Sequence, residues 1–135
     1  MARALAALTA FACLAATDAS AATLVIHAQS VQSSQGVIYA AVCATGFAEG
    51  DCPYRDRQAA AVGTVELRIQ DVRPGAYAIA VFLDLNGNGQ LDRFLFIPTE
   101  PFGFSNGVGR SRPPSFEAAK VSVREPATTV VVHLQ

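Results

Sequence analysis

The segment Gly63 to Gln70 limits what this chain can become. Val65, Leu67 and Ile69 alternate without a fault with Thr64, Glu66 and Arg68. That is the period of a strand with one face in a core and the other in water. No stretch after residue 21 keeps the period of an amphipathic helix. Short apolar runs are instead punctuated by glycine, proline and asparagine. Thr23 to Gln29 reads as a first strand. Gly36 to Cys43 is apolar on both faces, so it reads as a central strand that needs cover on both sides. Gly75 to Asp84 places Tyr77, Ile79, Val81 and Leu83 on one face, and Ala78, Ala80 and Phe82 on the other. Tyr77 follows the Pro74-Gly75 turn, the setting of a tyrosine corner whose hydroxyl bonds back to nearby backbone. Arg93 to Pro98 is a short apolar run. Phe116 to Glu125, with a helical turn at Ser115 to Ala119, and Ala127 to Leu134 close the chain around Pro126. Ala44 to Ala61 and Thr99 to Ser115 read as loops. The expected class is all-β: an antiparallel β-sandwich or small barrel of about seven strands in one domain.

The first residues read as an export signal. Arg3 precedes an apolar run from Ala4 to Ala16, and Ala19-Ser20-Ala21 supplies the small-x-small pattern of a cleavage site. Cleavage after Ala21 is expected, leaving residues 22–135 as a periplasmic or secreted domain with no membrane span, since the run is too short to cross a bilayer. Of the three cysteines, Cys13 would leave with the signal, and Cys43 and Cys52 would remain. Two cysteines in an exported chain suggest a disulfide. Two separate buried thiols are the alternative, and the polar, glycine-rich segment between them favours the bridge. The net charge of −1 gives no electrostatic case for nucleic acid or for an anionic membrane surface.

One stretch carries candidate chemistry. Asp84, Asn86 and Asn88 stand at alternate positions, followed by Gly89, Gln90 and Asp92. This matches the first half of the Asp-x-Asn-x-Asn-Gly calcium loop, with the Gln90 carbonyl at the seventh position and Asp92 at the ninth. The twelfth position is Leu95, where the full motif has a bidentate glutamate. Glu100, Glu117 or Asn106 would have to supply the missing oxygen. Two carboxylates and two amides imply calcium affinity no tighter than the roughly 10⁻⁴–10⁻³ M of extracellular modules. The same residues also read as a metal-free turn, because Asn-Gly, the strongest short turn signal, occurs twice. A second candidate is the segment 102–112. Phe102, Phe104, Ser105, Asn106, Arg110 and Arg112 could meet a glycan or peptide, or the phenylalanines could simply anchor the loop. No catalytic set is present. His27 and His133 lack a motif, and no nucleophile elbow or zinc-helix signature occurs.

The segments DVRPGAYAIAV, DLNGNGQLD, GFSN and PPSFEAAKVSV, in that order after an export signal, resemble the bacterial family of exported domains of unknown function called DUF2141. The resemblance covers the whole mature chain. It implies an immunoglobulin-like or prealbumin-like sandwich and implies no activity. The expectation is therefore a non-enzymatic envelope or secreted module, braced by calcium where the loop takes the ion, with an envelope protein or a glycan as partner. The alternative is a small carbohydrate- or peptide-binding domain using the 102–112 loop.

Overall fold

The structure, a computed structural model, describes residues 20–135. All but the last two residues of the expected signal peptide lie outside the described residues. The strands are β1 (Ala22–Val31), β2 (Val37–Cys43), β3 (Tyr54–Ala59), β4 (Gly63–Val72), β5 (Gly75–Asp84), β6 (Arg93–Phe94), β7 (Ile97–Pro98), β8 (Phe102–Phe104), β9 (Lys120–Val123) and β10 (Ala127–His133). One helical turn, α1 (Phe116–Ala119), precedes β9. The fold is all-β, as the alternation predicts.

Two sheets carry it. One has the order β10-β1-β4. The other runs β3-β2-β5-β8, with β9 also pairing with β5, and β6 and β7 form a separate hairpin. Leu24 and Ile26 of β1, Leu67 of β4 and Val132 of β10 meet Ile38 and Val42 of β2, Ile79 and Leu83 of β5 and Val123 of β9 in one buried cluster. Each such side chain contributes roughly 1.5–3 kcal/mol on leaving water. The alternation of Gly63 to Gln70 holds residue by residue: Val65, Leu67 and Ile69 are buried, and their neighbours are exposed.

Three features depart from the sequence expectation. First, β10 runs parallel to β1, although β1 and β4 are antiparallel. The chain reaches β10 from β9, a strand of the other sheet, so no hairpin forces the antiparallel sense. The corner is held by Thr128, whose Oγ1 accepts from Arg124 N–H at 2.8 Å and donates to the Arg124 carbonyl. Second, the expected loop Ala44–Ala61 contains β3. Its residues YRDRQA are mostly exposed, because β3 is a sheet edge, where charge is the usual guard against further pairing. Third, the expected irregular stretch contains β8. One side of β8 pairs with β5, and on the other Gln135 N–H donates to the Phe102 carbonyl at 2.9 Å. β8 therefore ties the two sheets together. Gly103 is obligatory there, because a Cβ would run into the His133 carbonyl.

Local ties fix the remaining corners. Tyr77 OH donates to the Arg73 carbonyl at 2.6 Å, the tyrosine-corner bond. Arg73 N–H donates to Tyr54 OH at 3.1 Å, and the two tyrosine rings meet edge to face. Cys43 ends β2, Cys52 precedes β3, and the two form a disulfide. Closing so short a loop is worth roughly 2–3 kcal/mol in the chain-entropy account. His27, on the outward face of β1, lies 3.3 Å from its cross-strand neighbour Glu66, a surface pairing.

Burial first, and the neighbouring Tyr54 phenol second, raise the Tyr77 phenol above its ordinary value. A group whose folded pKa is raised holds its proton more tightly in the native state. Its contribution is complete below about pH 10, the unfolded value, and is lost as pH climbs through the folded value. Tyr77→Phe should cost about 1 kcal/mol at neutral pH. Its melting temperature should also fall less steeply than the parent's above pH 10, in parallel thermal melts. Thiol titration of the unreduced, denatured protein should find neither Cys43 nor Cys52 free.

Candidate functional site

The loop after β5 is built on a buried carboxylate. Asp84 is fully buried. Its Oδ1 accepts from Gly87 N–H at 2.8 Å and Asn88 N–H at 3.2 Å, and its Oδ2 accepts from Gly89 N–H at 2.7 Å. Gly87 and Gly89 both have positive φ, which turns successive N–H groups inward to make an anion nest. Asn86 Oδ1 accepts from Asn88 N–H, and Asn88 Oδ1 from Gln90 N–H. The amide nitrogens of Asn86 and Asn88 both donate to the Asp92 carboxylate. Glu100, also buried, closes the ring. Its Oε1 accepts from Leu85 N–H at 2.9 Å and its Oε2 from Asp92 N–H at 3.0 Å. One side chain thereby bridges both ends of the loop.

The expected calcium ligands are thus divided. Asp84, Asn86, Asn88, Asp92 and Glu100 come together in one cluster, with Gln90 on its rim. Glu117 and Asn106 do not join it. Glu117 pairs with Lys120 at 3.0 Å, and Asn106 donates to the Ala118 and Lys120 carbonyls. Lys120 lies opposite Ala78 on β5, roughly 20 Å along the strand from Asp84. Within the cluster, every side-chain oxygen of Asp84, Asn86, Asn88, Asp92 and Glu100 already accepts a hydrogen bond from this chain. The donor set as arranged fits a self-capped turn. To hold calcium, it would have to turn the two asparagine amides away from Asp92. Among the described residues no three His, Cys, Asp or Glu side chains converge as a metal-holding group.

The 102–112 segment is divided too. Ser105 is fully buried, accepts from Ile79 N–H at 2.9 Å and donates to the Ala119 carbonyl, so it serves the scaffold, as Asn106 does. Arg110 and Arg112 are exposed, and neither forms an ion pair among the described residues. Phe102 and Phe104 instead lie on β8 opposite Phe82 and Ala80, on the outer face of the five-stranded sheet.

Beyond Phe102 and Phe104, that outer face was not foreseen as a site. Tyr39 of β2 stands opposite Phe82 of β5, and their rings stack at 5.3 Å. Ala41 and Ala80 pair beside them and leave a low floor. Phe104 continues the aromatic row to Phe47 at 4.9 Å, and Phe47 to Phe116 at 5.5 Å. On the β3 side, Arg57 lies opposite Tyr39 and Arg55 opposite Ala41. Arg55 is held by Glu49. A recess of about 390 Å³ opens here, lined by Tyr39, Ala41, Phe82, Arg55, Arg57 and Gly89 of the loop. The sequence did carry a signal. β2 is apolar on both faces, and its outward residues include Tyr39, which is half-buried.

Residues 26–131 match the profile of DUF2141, described as an uncharacterized protein conserved in bacteria. The chain belongs to this family. No curated protein and no solved structure matches it significantly. The DUF2141 match spans β1 to most of β10, and so takes in both the capped loop and the aromatic face.

Truncating either buried carboxylate strands N–H donors without partners, at about 1–3 kcal/mol for each group left unsatisfied. Asp84→Ala and Glu100→Ala should each lower stability in urea melts by at least about 2 kcal/mol.

Proposed function

We propose that this DUF2141 chain is an exported, non-catalytic binding module. In this reading its two sheets form an immunoglobulin-like or prealbumin-like sandwich, and the outer face of the larger sheet takes a flat ligand: a sugar ring of a glycan, or an aromatic or proline-bearing peptide. The observation that carries the reading is the stacked Tyr39–Phe82 pair beside an alanine floor and two arginines. Stacked rings offer an apolar platform of fixed geometry, and the guanidiniums supply directional donors at its edge. The capped loop then acts as a rim, since Gly89 borders the same recess.

Binding is favoured over catalysis by what the carboxylates do. Asp56, which lines the recess, accepts from Arg68 N–H at 3.3 Å, and Glu49 pairs with Arg55. Asp84, Asp92 and Glu100 of the loop accept from the chain's own donors too, so these acids offer no free acid–base pair of the kind glycoside hydrolysis uses. Export is supported by the small-x-small pattern at Ala19 to Ala21 and by the disulfide, which persists in oxidising compartments.

The test is a glycan and peptide array, followed by calorimetry on the best ligand. Tyr39→Ala and Phe82→Ala should each weaken binding about two- to tenfold, the value of one stacking contact, with the melting temperature monitored. Arg110→Ala should leave it unchanged. A ligand whose affinity survives both aromatic substitutions would place binding elsewhere.

A further inference from the structure

The two sheets part along one side. Among the described residues β10 pairs with β1, β9 pairs with β5, and β9 and β10 do not pair with each other. The gap between them is tied at both ends. At one, Thr128 holds the N–H and carbonyl of Arg124. At the other, Gln135 and Phe102 exchange two main-chain hydrogen bonds. Between the ties lies a groove of about 580 Å³, lined by Val121 and Ser122 of β9, Thr129 to Val131 of β10, and Asn106.

Both walls of this groove are unfinished ladders. Main-chain groups alternate in direction along a strand. Leu134 N–H donates to the Gln29 carbonyl, so the even-numbered residues of β10 serve β1 and the odd-numbered ones face away. Gln135 agrees, since its N–H and C=O both go to Phe102. Thr129 and Val131 therefore turn N–H and C=O into the groove, where no group of the described residues meets them. On the other wall, the Lys120 carbonyl accepts from Asn106, and Arg124 N–H donates to Thr128, both away from β5. Ser122, between them, faces the groove in the same way.

This pattern selects the occupant. Alternating donors and acceptors on two facing walls are completed by a chain with both of its own edges free. A second copy of β10 has one edge already on β1, so it could serve one wall alone. A single extended segment serves both. The edge is also unguarded: β3 carries Arg55, Asp56 and Arg57, whereas β10 reads ATTVVVH, without lysine, arginine, acid or proline. Val121 and Val130, both packed on the core, form the floor.

We propose that the groove between β9 and β10 takes a short extended segment of a partner protein as an added strand. Its main chain bonds Thr129 and Val131 on one side and Ser122 on the other, and its small or branched apolar side chains rest on Val121 and Val130. The proposal is independent of the ligand reading for the aromatic face.

The test is selection of a phage-displayed heptapeptide library on the mature protein, followed by titration of the best synthetic peptide. The expected peptides are uncharged and alternate apolar with polar residues. On binding, amide hydrogen exchange should slow at Ser122, Thr129 and Val131. N-methylating a central amide of the peptide should weaken binding about tenfold, the effect of one lost main-chain bond with its acceptor left unpaired. Val131→Ala should leave affinity within about twofold, because the backbone is what is read, and Tyr39→Ala should leave it unchanged. An unenriched library overturns the proposal. So do affinity indifferent to N-methylation, exchange unaltered at the three amides, and binding lost in Tyr39→Ala, which would move the peptide to the aromatic face. Exchange at the three amides that slows with protein concentration alone also overturns it, and assigns the edge to a second copy of the chain.

Discussion

Two buried carboxylates capped by backbone N–H groups organise one end of this molecule. An ionised group removed from water must be compensated locally, and here backbone N–H groups do it: three on Asp84 and two on Glu100. Because Glu100 spans Leu85 and Asp92, the loop cannot open without exposing its own donors. The same glutamate precedes β8, and the Pro101 carbonyl accepts from Leu83 N–H at 2.9 Å. The path of the chain into β8 is therefore set by the partners of a single side chain. Gly36 completes the arrangement from β2, since a Cβ there would run into the Asp84 carbonyl.

The two ends of this scaffold differ in kind. Around β8, α1 and β9 the backbone ties are neutral and internal: Ser105 bonds Ile79 to Ala119, and Asn106 holds the Ala118 carbonyl of α1 and the Lys120 carbonyl of β9. Around the loop and hairpin the polar groups are turned in and the apolar ones out.

Much of the fold was legible in the sequence because most strands have one wet face. The alternation of β4 and the bounds of β5 needed only the period-two rule. β3 was hidden because an edge strand with Arg55, Asp56 and Arg57 carries no apolar period. β8 was hidden because three residues between glycines and prolines read as loop, and its pairing depends on Gln135, more than thirty residues away in the sequence. At the site, Asp84, Asn86, Asn88 and Asp92 were visible as a group. Which of their atoms face one another was not, since a calcium loop and a self-capped turn share the same spacing. The outer aromatic face was half visible. The double-sided apolarity of β2 demanded cover, and only the three-dimensional arrangement shows that Tyr39 and Phe82 stack on one another and stay half-buried at the surface.

The pairing of β1 with both β4 and β10 has a consequence in time. A chain is made from its first residue onward, so β1 can find β4 early, but its other edge stays open until the last strand has been synthesised. β8 waits on the same event, because its second partner is Gln135. Closure is a long-range step that no local hairpin can anticipate, and such steps are slow. Until β10 and Gln135 have emerged, β1 and β8 each keep an open edge, so that segment decides when those edges stop being partners for other chains.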